Sequence, residues 1–267
     1  MAHEEDVRAA LREGARQLPE LYRDPIRYDV LAQMTAPDDL PFYRALVREH
    51  PGPVLELGAG TGRVAIELAA DGTDVTGVEL LEPMIELAAQ KAQARGVELT
   101  LALGDLRSFR LERTFALVLL PYNTLNHLTD EDDLERALAS IRTHMDGASR
   151  LVIDTFQPSL AFLGADRTTP KPILRYRDPY SEQEILIAEE NHYDSAKQIN
   201  RVVWRETIAE VPDARVDELR MRIFFPRELD ALLTLSGFAI EHKHGDYDRR
   251  AFDAASPKQL LVCRLAD

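Results

Sequence analysis

The stretch Val54-Leu55-Glu56-Leu57-Gly58-Ala59-Gly60-Thr61-Gly62-Arg63 constrains this chain more than any other. A short apolar strand runs straight into a loop with glycine at every second position. Glycine there permits a sharp backbone turn and the close approach of a ligand with no Cβ in the way. Glu56 stands two residues before the first glycine. Further on, a second apolar strand, Val75-Thr76-Gly77-Val78-Glu79, ends in another carboxylate. Strand, glycine loop and strand-end acid together describe a pocket for a nucleoside with a free ribose diol.

Two nucleotide motifs with similar loops are excluded by position. The dinucleotide fingerprint needs a third glycine where its helix meets pyrophosphate, and Arg63 occupies that place. A phosphate-cradling P-loop needs Gly-Lys-Ser/Thr at its end, which does not follow Gly60. The spacing Glu-x-Gly-x-Gly-x-Gly instead resembles the first motif of the class I S-adenosylmethionine-dependent methyltransferases. The resemblance runs from Val54 to about Phe156. It implies S-adenosylmethionine as cofactor and methyl transfer to a small-molecule acceptor, through nitrogen or oxygen. An NAD(P)-binding oxidoreductase and a non-catalytic cofactor-binding partner stand as alternatives.

With 267 residues the chain can bury one large core carrying an insertion. Its hydrophobic content of 45% and charged content of 29% are those of an ordinary globular protein. No apolar run approaches a membrane span, and the acidic start Met1-Ala2-His3-Glu4-Glu5-Asp6 has no apolar leader pattern, which points to the cytoplasm. A net charge of -14 repels nucleic acid. The single cysteine, Cys263, excludes an internal disulfide and reads as a buried strand thiol. The pair His242 and His244, with Asp246 and Asp248 beyond, lacks a clear third ligand, so no metal site is expected. A homodimer is compatible with all of this.

Strands alternate with amphipathic helices from Val54 to Phe156, the rhythm of a doubly wound parallel sheet. Helices are expected after the glycine loop up to Gly72 and from Pro83 to Gly96, and a third from a Thr129 cap to Gly147. Asp130 to Asp133 would serve the positive end of that third helix without a functional role. The continuous run Phe115 to Leu120 predicts a strand buried on both faces, at the sheet centre. From Gln157 to Phe225 the pattern turns to period two, most clearly in Leu219, Met221, Ile223 and Phe225. The fold class expected is α/β: a doubly wound, seven-stranded Rossmann-like sheet with N-terminal helices and an antiparallel β insertion after the fifth strand. The corresponding segments are a helical lid over 1–50, the cofactor-binding core over 51–156, the insertion over 157–225, and a closing helix and hairpin over 226–267.

What the resemblance implies for single residues follows the strand ends. Glu79 would accept hydrogen bonds from the ribose hydroxyls, with Leu80 beside it. Asp105, after Gly104, would meet the adenine amino group, with Leu106 against the ring. Glu56 would order the loop or reach the methionine ammonium indirectly, Gly58, Ala59 and Gly60 would bring the backbone close to that end, and Leu120 would flank the cofactor. The polar turn Pro121 to Leu128, at a strand's carboxyl end, is where such folds do chemistry. The turn resembles the acceptor side of amino-sugar N-methyltransferases. There His127 would act as general base or simply brace the next helix. Tyr22 and Tyr28 resemble N-terminal tyrosines that fold over the cofactor, Tyr22 as a catalytic and Tyr28 as a cofactor-binding candidate. Plain helix packing is the alternative for both.

Overall fold

A computed structural model describes residues 18–130 and 132–266. Chain order begins with helices α1 (Glu20–Arg23), α2 (Pro25–Thr35) and α3 (Leu40–Glu49), then β1 (Val54–Leu57), α4 (Ala65–Ala70), β2 (Val75–Glu79), α5 (Glu82–Ala94) and β3 (Thr100–Leu103). It continues with β4 (Leu117–Leu120), a 3-10 turn (Thr124–His127), α6 (Asp133–Arg142), β5 (Arg150–Phe156), α7 (Leu160–Leu163) and β6 (Lys171–Arg177). The last elements are β7 (Glu184–Asp194), β8 (Ile199–Ile208), β9 (Val211–Arg222), α8 (Pro226–Leu235), β10 (Phe238–His244) and β11 (Lys258–Leu265). The helical reading of residues 2–17 lies outside the described residues.

The main sheet has the order β10-β11-β5-β4-β1-β2-β3, with β4 at its centre as the run Phe115 to Leu120 predicts. All four residues of β1 and of β4 are buried, because helices cover both faces. One face packs Val54, Leu117, Leu119 and Val152 against Phe42, Tyr43 and Leu46 of α3 and Leu68 of α4. The other packs Leu55, Leu57, Val118 and Ile153 against Leu134, Leu138 and Ile141 of α6 and Leu229 and Leu233 of α8. β10 and β11 form the antiparallel hairpin at one edge. Cys263 is fully buried in β11, and that burial pushes its thiol up to about 12. No helix among the described residues is long and apolar enough to cross a membrane.

Two helix boundaries differ from expectation. After β4 the chain first closes the 3-10 turn, so α6 starts at Asp133 with Asp132 in the cap position, and Thr129 is not its cap. The same helix ends at Arg142, well before Gly147.

The insertion forms a separate four-stranded antiparallel sheet, β6-β7-β8-β9. Its inner face meets α1 and α2 in a small core of Leu21, Leu31, Tyr176, Ile185 and Ile187, with Tyr22, Tyr28 and Trp204 packed against it. A four-residue helix such as α1 has no stability of its own. It is ordered by this packing.

Candidate active site

A cavity of about 470 Å³ opens at the carboxyl ends of β1, β2 and β4, where a doubly wound sheet binds ligands. The glycine loop and the turns after β2 and β3 form one side. The turn after β4, the helices α1 and α2, and the inner face of the insertion form the other.

Gly58 and Gly60 have φ of +69° and +55°, conformations that side-chain-bearing residues rarely adopt. A Cβ on Gly60 would project toward Tyr28 Cε1 at 4.0 Å. Both the Gly58 and Ala59 amides donate to the Val78 carbonyl, at 2.9 and 3.1 Å, locking the loop to β2. Glu79 completes that lock. Its Oε2 accepts from Gly60 N at 2.9 Å, and its Oε1 accepts from Leu80 N and Leu81 N at 2.8 and 3.0 Å. An ionised carboxylate offers about four acceptor positions, so one on Oε2 stays available. Burial raises the Glu79 pKa, while the three amides oppose the rise.

Glu56 lines the same cavity, is 3% exposed, and leaves Oε2 without a hydrogen-bond partner among the described residues. Burial pushes its carboxyl up to about 8 against the pull of Arg63. Arg63 is held by two hydrogen bonds to the fully buried Asp39, at 2.6 and 2.7 Å, and lies 5.5 Å over the Tyr122 ring.

Asp105 and Leu106 line the cavity after β3. Both Asp105 oxygens accept from the Arg107 guanidinium, with Nη2 to Oδ2 at 2.6 Å. Burial would raise the Asp105 pKa, but these bonds outweigh it and hold the carboxyl below its ordinary value. Arg107 also reaches Asp133 at 3.1 Å. Asp133 is therefore a cavity-lining ion-pair partner, correcting the view of it as mere helix-end charge. Leu80 lines the cavity. Leu120 does not, because its side chain is fully buried in the core beneath α6.

Across the cavity, Tyr122 and Asn123 both take positive φ, 48° and 65°. Two successive non-glycine residues in that region cost roughly 1–3 kcal/mol each and survive only where neighbours over-determine them. Here β5 does so: Tyr122 N donates to Asp154 Oδ2 at 3.0 Å, Asn123 N to the Asp154 carbonyl at 3.0 Å, and Phe156 N to Asn123 Oδ1 at 2.9 Å. The turn delivers His127 to the cavity, where its Nε2 lies 3.3 Å from the Tyr22 hydroxyl. The Tyr22 ring stands edge-on to both His127 and Tyr28, with centroids 5.5 Å apart in each pair. Burial drives the Tyr22 hydroxyl well above its usual pKa, lifts Tyr28 to about 12, and lowers His127 to about 4.

Residues 54–146 match the family model described as a methyltransferase domain. The CcbJ methyltransferase of Streptomyces caelestis is 28% identical, with a TM-score of 0.75 over 86% of this chain and 91% of that one. The dTDP-3-amino-3,4,6-trideoxy-alpha-D-glucopyranose N,N-dimethyltransferase of Streptomyces venezuelae is 26% identical over 208 residues, covering 76% of this chain and 82% of that protein. These matches make the chain an S-adenosylmethionine-dependent methyltransferase, with the methyltransferase domain over residues 54–146. A putative methyltransferase of Geobacillus sp. is 32% identical over 94 residues, and there the chain spans 38% of the relative's length. The oxidoreductase alternative falls with these matches.

In this methyltransferase the structure brings Tyr22, Tyr28, Glu56, Gly58, Ala59, Gly60, Glu79, Leu80, Asp105, Leu106 and His127 to one cavity. Sequence reasoning missed Arg63 and Arg107 as lining residues, and Val202, Trp204, Asp217, Leu219 and Met221 from β8 and β9. Arg63 entered only as the residue that breaks a fingerprint, and its pairing with Asp39 carries no local signal. The insertion residues had one signal, the alternation of Leu219 and Met221, which gave a face but not its destination.

His127 makes the methyltransferase's stability pH-dependent. Its folded pKa of about 4 lies below the ordinary value near 6.5, so the unfolded chain takes the proton first as pH falls. The stability tied to its neutral form is complete above about pH 6.5 and is lost as pH drops toward 4, by at most about 3 kcal/mol. His127 is only partly buried, which makes that figure a ceiling. Urea unfolding at pH 7 and pH 4.5 should therefore show a smaller acid loss in His127→Gln than in the parent. Equal losses would remove His127 as the source.

Proposed function

We propose that this methyltransferase methylates an amine of a small, sugar-like acceptor. The observation that carries the reading is the neutral His127, hydrogen-bonded to Tyr22, facing the glycine loop across a cavity closed by two segments outside the family core. Relatives named for amino-sugar N,N-dimethylation support the acceptor class, and the net charge of -14 disfavours a polyanion.

The residues present fit the cofactor. Gly60 leaves free the space that a side chain would take, Glu79 keeps one acceptor position, and Glu56, whose Oε2 has no partner among the described residues, lines the cavity. In this reading Glu79 holds the ribose and Asp105 with Leu106 holds the adenine. Glu56 and the backbone of Gly58, Ala59 and Gly60 hold the methionine end, and Tyr22 and Tyr28 cover it. S-adenosylmethionine supplies a methyl group made electrophilic by its sulfonium. The remaining work for the chain is alignment and exclusion of water.

An attacking amine needs its lone pair free and pointed at the methyl carbon. An imidazole with a pKa of about 4 is too weak a base to strip a typical ammonium, so His127 accepts a hydrogen bond from the amine N–H and orients it. The Tyr22 hydroxyl fixes the ring. The amine nitrogen gains the methyl, the carbon–sulfur bond breaks, and the surplus proton leaves the alkylated nitrogen for water.

The test is a panel of free and nucleotide-linked amino sugars, other amines and phenols, incubated with methyl-labelled cofactor. The expected product carries label on nitrogen, and Tyr22→Phe and His127→Ala lower kcat by on the order of 10–100-fold with cofactor affinity retained. Label appearing only on oxygen would overturn the amine reading. Tight cofactor binding with no product from any acceptor would return the chain to a non-catalytic binder.

A further inference from the structure

We propose that Asp217 and Arg27 are positioning residues for methyl transfer: from the β insertion and α2 they set Tyr22 in register against His127. The proposal rests on the role given above to that tyrosine–histidine pair.

The observation is a buried charge cluster that the cofactor-binding core does not contain. Arg27 on α2 is 3% exposed, Glu206 on β8 is 0% exposed and Asp217 on β9 is 6% exposed. Arg27 Nη2 donates to Glu206 Oε1 at 2.6 Å and also to Asp217 Oδ2, and its Nε donates to the Tyr176 hydroxyl at 3.1 Å. Arg215 Nε pairs with the other Glu206 oxygen at 2.7 Å and its Nη2 lies 3.5 Å from Asp178 Oδ1, so two cations face three carboxylates. Asp217 then does something no other member does. Its Oδ1 accepts the backbone amide of Leu21 at 2.8 Å, one residue before Tyr22.

Asp217 thus grips the lid at two points, the α1 backbone and the α2 guanidinium. The far side of α2 is gripped by the core: Asp29 accepts from the hydroxyl of Thr61, in the glycine loop, and from Lys91 Nζ at 2.7 Å. Tyr22 and Tyr28 are carried between these grips. Apolar packing alone would hold a one-turn helix to a sheet in several nearly equivalent ways. A desolvated ion cluster contributes little net stability, but it is directional and accepts one arrangement. The hydroxyl-to-imidazole distance of 3.3 Å is the quantity such a device controls.

The full-length chain is tested as Asp217→Asn, which keeps volume and an acceptor for Leu21 N but removes the charge that Arg27 needs. The double variant Arg27→Gln/Asp217→Asn removes both charges together and serves if the single variant fails to fold, as judged by circular dichroism. Three readouts are taken: proton NMR titration of the histidines, S-adenosylhomocysteine binding followed through Trp204, the sole tryptophan, and kcat on the acceptor found above. The expected result is that His127 titrates closer to the ordinary value near 6.5 once Tyr22 leaves it. With it, kcat should fall on the order of 100-fold, a larger factor than the loss of S-adenosylhomocysteine affinity that comes from uncovering the methionine end. A folded variant with unchanged His127 titration and unchanged kcat overturns the proposal. A rate that survives both Tyr22→Phe and Asp217→Asn removes the tyrosine–histidine reading itself. A rate that survives Asp217→Asn alone overturns only the positioning role.

Discussion

Glu79→Ala is expected to weaken S-adenosylhomocysteine binding by at least ~2–3 kcal/mol, around 100-fold, in isothermal titration calorimetry. The carboxylate has two tasks that alanine removes together. One is the acceptor position left on Oε2 for a ribose hydroxyl. The other is the set of three backbone amides it pins, Gly60, Leu80 and Leu81, at 2.8 to 3.0 Å. Without it those amides lose their partner, and the loop that approaches the ligand keeps only its Gly58 and Ala59 ties to the Val78 carbonyl of β2. Glu79→Gln separates the tasks, since its amide oxygen can still accept from part of the set. It should lose less than alanine. Unchanged affinity in both variants would remove Glu79 from the ribose role, whatever the fold resemblance implies.

Arg27→Ala should cost about 3–5 kcal/mol of unfolding free energy in urea titration at neutral pH, far above a typical substitution. It strips a partner from two carboxylates that are 0% and 6% exposed, and among the described residues only Glu206 keeps a second cation, Arg215. Burial and the paired acids act in opposite directions on the Arg27 guanidinium. The acids prevail, so it stays charged throughout the accessible pH range. The exposed pair Arg175–Glu184, with side chains 62% and 70% accessible, is the internal control. Breaking it should change stability by no more than about 0.5 kcal/mol. A similar small change for Arg27→Ala would mean that the lid is held by the apolar contacts of Leu21 and Leu31 instead.

These effects differ in how far they could be anticipated. The glycine loop, the strand-end acids Glu79 and Asp105 and the central strand were legible because each is a local pattern. Alternating glycines announce positive φ, and a run such as Leu117 to Leu120 announces burial on both faces. Helix ends were less legible. The chain after β4 spends its first residues on a 3-10 turn and on the strained Tyr122–Asn123 pair, which no capping rule describes, and α6 starts late as a result.

The sequence alone determined the glycine-loop side of the cavity. Strand, loop and acid lie within a few residues of one another, so backbone conformation and burial fix their relative positions. Only the tertiary structure decided the opposite side. Tyr22 meets His127 across 105 residues and Arg27 meets Asp217 across 190. Arg63 reaches Asp39, and Arg107 joins Asp105 to Asp133. A charged side chain carries no local mark of its partner. Desolvation penalises any buried charge that stays unpaired, but which partner satisfies it depends on how the insertion and the lid fold back over the sheet.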